Sequence, residues 1–291
     1  SRGLGDVYKR QVADSKSGTL YVVATPIGNL GDMTARAVTC LQSVALIACE
    51  DTRTSGKLLQ HFNISTKMWA YHEHNADSQT PKLIATLQAG DDVALISDAG
   101  TPLISDPGFR LVQACHATGI AVSPVAGASA CIAALSVAGL PSDKFYFYGF
   151  LPAKSTARQS ELQAIQSLPV TLIFYEAPHR IVACLADMLD VLGDRQVTLC
   201  REISKTFETI YPSTLSDLLA FVQHDSNQQK GEIVLVVAGN RGQQVADDAG
   251  DALLAKLLPH LPLKVAVGVA SDILGIKKNQ LYERALQLKA E

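Results

Sequence analysis

Short apolar runs alternate with amphipathic stretches from residue 19 to residue 125, and nothing else in the sequence restricts the fold as tightly. TLYVVATPIGN (19–29), VALIACE (44–50) and VALIS (93–97) carry the Val, Ile, Leu and Tyr of buried strands, and AVSPV (121–125) follows them. The first run is broken by Pro26 and Gly28. Helical patterns occupy 34–42, 53–62, 79–89 and 107–118, with a short strand at 68–71 and a small-residue helix, ASACIAALSVAG, at 128–139. The Asp51-Thr52 pair supplies a cap for helix 53–62. Strands separated by helices return to one sheet in parallel, with helices on both faces, so the fold class is α/β.

GLPSDKFYFYGFLPAKS (139–155) interrupts the alternation with aromatic residues, Pro141 and Pro152, and a domain junction is expected inside it. A second α/β unit follows, with helices at 156–167, 178–192 and 215–224, strands at 171–177, 196–203 and 231–239, and the less regular TFETIYPSTL at 206–215. NRGQQVADDAGD (240–251) reads as a linker. In VGVASDILGIKKNQLYERALQLK, the spacing of Ser271, Gly275 and Leu281 matches a helix-turn-helix. Leu281, Ala285 and Leu288 form its apolar stripe, and Lys277, Lys278, Asn279, Gln280 and Arg284 remain available outside. A capping helical hairpin and a nucleic-acid contact module both fit this pattern. The expected organisation is a disordered lead-in or cloning remnant at 1–17, an α/β domain at 18–140, a second at 141–240 and a helical module at 252–291.

With 47% hydrophobic and 18% charged residues, 291 residues can bury two substantial cores. No apolar run reaches the roughly 18 residues of a membrane span. Residues 1–17 lack the apolar stretch of a secretory signal. The six cysteines (40, 49, 115, 131, 184 and 200) form no C-x-x-C pair and sit beside aliphatic residues, as buried, reduced cytosolic thiols do. Zinc-ligand spacing is absent. The net charge of −3 divides into a body of −8 at 18–255 between two cationic ends. Overall charge does not announce a nucleic-acid partner, although a basic C-terminal module can serve one.

Three loops at one sheet edge are candidates for ligand contact. TPIGNLG (25–31) lacks the G-x-G-x-x-G of a dinucleotide cradle, and Pro26 removes a donor. Glu50 stands about twenty residues further on, where that motif expects an acid, yet the missing phosphate cradle argues against NAD. SDAGTPLISDPG (97–108) places Asp98 and Asp106 where they would repel a pyrophosphate and suit a cationic or hydroxyl-rich ligand. Gly100 permits close backbone approach, and Pro102 and Pro107 stiffen the turn. An Asx turn leading into a helix cap, with Pro107 at the first helical position, explains the same residues without a ligand. GASA (127–130) again opens a small-residue helix. His72 and His74 in YHEHN alternate as strand residues do; with no third metal ligand in spacing, hydrogen bonding to a substrate is the better use for them. The lone Trp69 is expected in the core.

Taken in order, GTLYVVATPIGNLGDMT (18–34), EDTRTSGKLL (50–59), YHEHN (71–75), LISDAGTPLISDPGFRLV (95–112), PVAGASA (124–130), GFLP (149–152), FYEAPHR (174–180), CREISK (200–205) and KGEIVLV (230–236) resemble the tetrapyrrole methylase superfamily, and within it the branch that modifies small-subunit ribosomal RNA. The resemblance implies two α/β domains of the tetrapyrrole methylase type with the active cleft between them. It implies S-adenosylmethionine as methyl donor, held by Pro26, Asp98, Ala99, Gly100, Thr101, Ile104, Ser129 and Ala130, with Tyr175 and Glu176 reaching over from the second domain. TPIGN and DAGTP replace the G-x-G-P-G and G-G-D-P of tetrapyrrole-modifying members, which favours the RNA branch. It further implies 2′-O-methylation of a cytidine ribose in small-subunit RNA by a cytoplasmic homodimer.

Transfer of a methyl group to a ribose hydroxyl needs alignment, removal of the hydroxyl proton and relief of charge on the oxygen. Glu50, Asp51, Glu176, Glu202 and Lys205 are candidates near the expected cleft, and Glu50, Arg53 and Lys205 are expected to be catalytic. Arg53, Lys57, Arg180, Arg201 and Lys205 are the expected phosphate partners, joined at the substrate by His72 and His74. Methylation of a tetrapyrrole carbon, and non-catalytic RNA binding through the C-terminal helices, remain alternatives.

Overall fold

A computed structural model describes residues 17–240 and 244–290. The expected lead-in, save Ser17, lies outside the described residues, as do 241–243 of the expected linker. The chain divides into two compact units. The first comprises residues up to Val137 together with Cys200–Ile210 and Gly231–Val234. The second comprises Ala138–Leu199, Tyr211–Lys230 and residues from Leu235 onward.

The first sheet contains β1 (Thr19–Val23), β2 (Leu46–Cys49), β3 (Met68–Ala70), β4 (Val93–Ile96) and β5 (Ala121–Val125), in the order β3-β2-β4-β1-β5. All four neighbouring pairs are parallel. The helices are α1 (Ala35–Ser43), α2 (Thr52–His61), α3 (Ala76–Gln88), α4 (Phe109–Ala117) and α5 (Ala130–Val137). Strand alternation sorts the core into two layers. Leu20, Leu46, Ala48, Val93 and Leu95 pack with Leu83, Leu87, Leu111 and Cys115 of α3 and α4. Val23, Ile47, Cys49, Ala94 and Ile96 pack with Ala37, Cys40, Leu41 and Leu59 of α1 and α2. Each fully buried Leu or Ile contributes roughly 1.5–3 kcal/mol, so the continuous VALI runs specify a sheet covered on both sides. Trp69 is partly buried against the first layer, with the Lys67 ammonium 5.4 Å from its ring centre.

Helix starts follow local chemistry. Thr34 Oγ1 accepts from the Ala37 N–H at 3.1 Å, and Asp51 Oδ1 accepts from the Arg53 N–H at 2.8 Å. Four local expectations shift. β1 ends at Val23, because the chain then turns through Pro26 into a 3₁₀ turn at Leu30–Asp32. Helix α4 starts at Phe109 after Gly108 (φ +138°), so Pro107 is not its first residue. His72 and His74 lie not on a strand but in the turn before α3, where Asn75 Oδ1 accepts from the His72 N–H at 2.9 Å. The stretch 139–155 holds β6 (Phe145–Phe150), whose aromatic run is an edge strand.

The second sheet adds β7 (Thr171–Glu176), β8 (Gln196–Arg201), β9 (Thr209–Thr214) and β10 (Ile233–Val237), in the order β6-β7-β10-β8-β9. Its helices are α6 (Ser155–Ile165), α7 (Ile181–Leu192) and α8 (Leu215–His224). A buried ion pair joins α6 to α7: Arg158 Nη2 lies 2.6 Å from Asp187 Oδ2, and Ser155 Oγ and Gln159 Nε2 donate to Asp187 Oδ1 at 2.9 and 2.8 Å. Arg158 also donates to the carbonyls of Pro152 and Ala153.

The C-terminal helices are α9 (Gln244–Leu257), α10 (Leu263–Leu274) and α11 (Lys278–Ala290). The expected linker is therefore helical from Gln244. Gly275 takes the left-handed conformation (φ +68°) that ends α10, and Ser271 Oγ donates to the Ile276 carbonyl at 2.7 Å. Leu254, Val267, Ala270, Leu281 and Ala285 form a small core of their own. All six cysteines are buried thiols outside any disulfide, and burial raises Cys49, Cys115 and Cys131 to about 11. No helix among the described residues is long and apolar enough to cross a membrane.

Candidate functional site

The carboxyl ends of parallel strands leave the chain at one edge of the first sheet, where open α/β folds hold ligands. Here three loops are joined by hydrogen bonds. Thr25 and Gly100 exchange N–H···O bonds of 2.8 and 3.0 Å, tying the loop after β1 to the loop after β4. Thr101 Oγ1 donates to the Ala128 carbonyl at 2.9 Å, tying in the loop after β5. Leu103 (φ +74°) and Ser105 (φ +65°) hold left-handed conformations in this region. Such residues cost roughly 1–3 kcal/mol each and persist where the surroundings over-determine them.

A pocket of about 340 Å³ opens beside these loops within the first unit. Pro26, Ile27, Gly28 and Leu30 line it from the first loop, Thr54, Ser55, Lys57 and Leu58 from α2, and Ser97, Asp98 and Ala99 from the third. Lys205 and Glu232 complete the lining. Lys205 Nζ lies 2.8 Å from Glu202 Oε1 and 3.1 Å from Glu232 Oε2. Burial opposes its charge, but the hydrogen bonds to Glu202 and Glu232 and the negative charges of both together outweigh it, so the Lys205 pKa stands above the usual lysine value. A lysine held this way is a fixed cation and not a proton acceptor.

Other carboxylates, outside the pocket lining, cluster around Asp98. Burial raises the pKa of Glu50, and the charges of Asp98 and Asp106 raise it further. Asp98 and Asp106 are also raised, each chiefly by burial. The Asp51 N–H donates to Asp98 Oδ1 at 3.2 Å and offsets part of that effect. Asp51 itself is different: its hydrogen bonds from Arg53 bring it down to about 2.

The structure brings Pro26, Asp98, Ala99, Lys57 and Lys205 together at the pocket, with Gly100 and Thr101 in the adjoining loop bonds. Ile104 is exposed on the same loop, and Ser129 and Ala130 open α5. Arg53 is exposed and paired with Asp51 at 2.7 Å. Two expected phosphate partners are otherwise engaged. Arg201 is buried, and its Nη2 donates to the Phe207 carbonyl and to Thr209 Oγ1. Arg180 pairs with Glu176 at 2.8 Å and donates to the Leu151 carbonyl at 2.7 Å. That pairing also commits Glu176, which is almost fully buried and accepts from the Ala177 N–H at 2.6 Å. Tyr175 packs edge-on against Phe147 and Phe150 in the second unit. His72 Nδ1 is buried without a hydrogen-bond partner among the described residues.

Sequence reasoning missed Thr54, Ser55, Leu58, Gly28 and Glu232. The helical phase set by the Asp51 cap places 54, 55 and 58 on one face, which was the available signal. Ser55 Oγ is buried there without a hydrogen-bond partner among the described residues.

Residues 19–219 match the family described as Tetrapyrrole (Corrin/Porphyrin) Methylases, and residues 244–289 match the RsmI C-terminal HTH domain. The chain is 57% identical to the curated Ribosomal RNA small subunit methyltransferase I of Pseudomonas aeruginosa, across 93% of this chain and 98% of that one. Identity to the protein of the same name from Escherichia coli O157:H7 is 52%, across 96% and 98%. The crystal structure of a diphthine synthase superposes with a TM-score of 0.60 at 14% identity, covering 77% of this chain and 90% of that one, a likeness of fold. Two sheets, stitched carboxyl-edge loops and a match over two thirds of the sequence lead to one conclusion: the chain belongs to the tetrapyrrole methylase family.

Proposed function

We propose that this chain is an S-adenosylmethionine-dependent methyltransferase of small-subunit ribosomal RNA, acting on the 2′-hydroxyl of a cytidine. The observation that carries the reading is the near full-length likeness to relatives bearing the small-subunit methyltransferase name. The helical C-terminal module supports an RNA substrate: Lys264, Lys277 and Lys278 are exposed on it, and charge neutralisation dominates nucleic-acid affinity. A cytoplasmic homodimer completes the proposal, and Phe109, Ile132 and Val137, exposed on the first unit, suit self-association.

The donor set fits a sulfonium. Burial and mutual repulsion disfavour the ionised forms of Glu50, Asp98 and Asp106, and a cation beside them offsets that cost. Pro26, Asp98, Ala99, Gly100, Thr101, Ile104, Ser129 and Ala130 are the residues we assign to hold it. Tyr175 and Glu176 belong to the second unit, where Glu176 is committed to Arg180, and are not assigned to it. Bound there, S-adenosylmethionine would supply an electrophilic methyl group on a cationic sulfur.

The chain's own residues have three tasks. The stitched loops fix an in-line geometry, and alignment alone is worth up to roughly 7–11 kcal/mol. Glu50, raised above the ordinary carboxylate range, is assigned as the base for the ribose hydroxyl proton. Lys205 supplies positive charge as the oxygen loses that proton. Lys57 and Arg53 are assigned to RNA phosphates, with His72 and His74 at the substrate edge; Arg180 and Arg201 are withdrawn from that role by their internal bonds.

Radiolabelled donor should be incubated with small ribosomal subunits and, separately, with a porphyrinoid. Label is expected in RNA, as an alkali-resistant 2′-O-methylcytidine. Label in the porphyrinoid alone, or RNA label on a base, would overturn the reading.

A further inference from the structure

We propose that the two carboxylates bonded to Lys205 have opposite roles: Glu202 fixes the ammonium at the pocket, and Glu232 is a stand-in anion that a substrate phosphodiester displaces. The proposal rests on the reading above and names a phosphate subsite within it.

The asymmetry lies in how each acid is held. Glu202 has a left-handed backbone (φ +52°), and its side chain is 19% exposed. Its Oε1 accepts from both Lys205 Nζ and the Glu232 N–H at 2.8 Å. Its own N–H donates to the Glu232 carbonyl at 2.9 Å. Gly231 (φ +79°) leaves room for it, since a β-carbon there would collide with the Glu202 Cγ, Cδ and Oε1. Glu202 is thus fixed by its main chain, by two donors and by close packing against Gly231.

The Glu232 side chain is 71% exposed and touches Lys205 at the longer distance, 3.1 Å. Exposed pairs of this kind contribute little and exchange readily. Glu232 lines the pocket and Glu202 does not. A phosphate entering beside Lys205 therefore meets a replaceable carboxylate. Lys57 lines the same pocket as a second cation, and phosphate binds ammonium groups as point charges. Once Glu232 swings into solvent, Glu202 keeps Lys205 from following it.

If only charge mattered, neutralising either acid would strengthen anion binding. The clamp predicts opposite signs. Cytidine 3′-monophosphate should be titrated calorimetrically into the full-length wild type, Glu232→Gln, Glu202→Gln and Glu202→Asp, with circular dichroism as a check on folding and uncharged cytidine as a control. Glu232→Gln is expected to tighten the monophosphate three- to tenfold. Glu202→Gln should weaken it at least threefold. Glu202→Asp, which keeps the charge but shortens the reach, should weaken it similarly. Cytidine should be insensitive to all three. Same-sign shifts for the two Gln variants, or wild-type binding by Glu202→Asp, would overturn the clamp, and methylation of small subunits by the wild type would be untouched by that outcome. Conversely, a wild type that leaves small-subunit RNA unlabelled would overturn the functional reading while opposite-sign titrations still stood.

Discussion

The methylenes of Lys205 occupy the space that a β-carbon on residue 28 would fill: built at Gly28, that carbon collides with Lys205 Cγ, Cδ and Cε. Gly28 also holds a φ of +135°, a region that L side chains rarely adopt. The strand-end loop and the lysine are thus complementary shapes. Gly28→Ala is expected to destabilise the fold by about 1–3 kcal/mol through backbone strain and to lower methyl transfer at least tenfold by moving Lys205. Gly119→Ala, at φ +72° in open space, carries strain without that contact and should leave transfer near wild type. Urea unfolding and single-turnover methylation check both.

Glu50 gives a pH prediction with a definite sign. Its folded pKa is raised, first by burial and then by Asp98 and Asp106. Between the unfolded and folded values the native state binds more protons, so stability falls as pH rises through that window and is greatest below it. The rate runs the other way, since a base must be ionised: transfer should rise with pH up to a plateau above the folded pKa. Glu50→Gln is expected to raise the melting temperature at neutral pH while lowering the rate by about 10²–10⁴-fold. A variant that methylates at the wild-type rate would remove Glu50 from the chemistry.

In the second unit, Arg158→Met leaves Asp187 buried with only Ser155 and Gln159 of its described donors. Removing one partner of a buried pair costs about 3–5 kcal/mol. Denaturant unfolding should show a loss of that size. The Arg158→Met, Asp187→Leu double variant should recover part of it.

The C-terminal module offers a salt-dependence test. Lys277 and Lys278 are exposed at the turn into α11. If both contact phosphates, Lys277→Ala with Lys278→Ala should lower the slope of log affinity against log salt by roughly 0.7 for each lysine removed. Filter binding of small-subunit RNA at several ionic strengths measures it, and an unchanged slope would place the contact elsewhere.

Thr101→Val removes the hydroxyl that reaches the Ala128 carbonyl at 2.9 Å. A lost hydrogen bond of this type costs about 1 kcal/mol. Calorimetry should show weaker S-adenosylmethionine binding by severalfold with little change in the affinity for RNA.

The parallel sheet was legible in the sequence because VALI at 93–96 and its counterparts are apolar on both sides of the pleat, and Asp51 marked its helix start. β6 was hidden because FYFYGF at an edge has neither strict alternation nor full burial, and Gly149 shifts its register against β7. The helix from Gln244 was hidden because Gly250 and three aspartates read as a loop. The site loops were visible as Gly- and Pro-rich strand ends. Which cations face the pocket was not: Arg201 and Lys205 are four residues apart, and the loop between them, with Glu202 and Ser204 at positive φ, sends one to the Phe207 carbonyl and the other to Glu202.

The Thr25–Gly100 exchange and the reach of Thr101 to Ala128 make the loops after β1, β4 and β5 a single mechanical part. Importing one of them alone from a relative with another chemistry would sever couplings to its neighbours. A change of reaction in this scaffold therefore has to arrive as a cassette of all three.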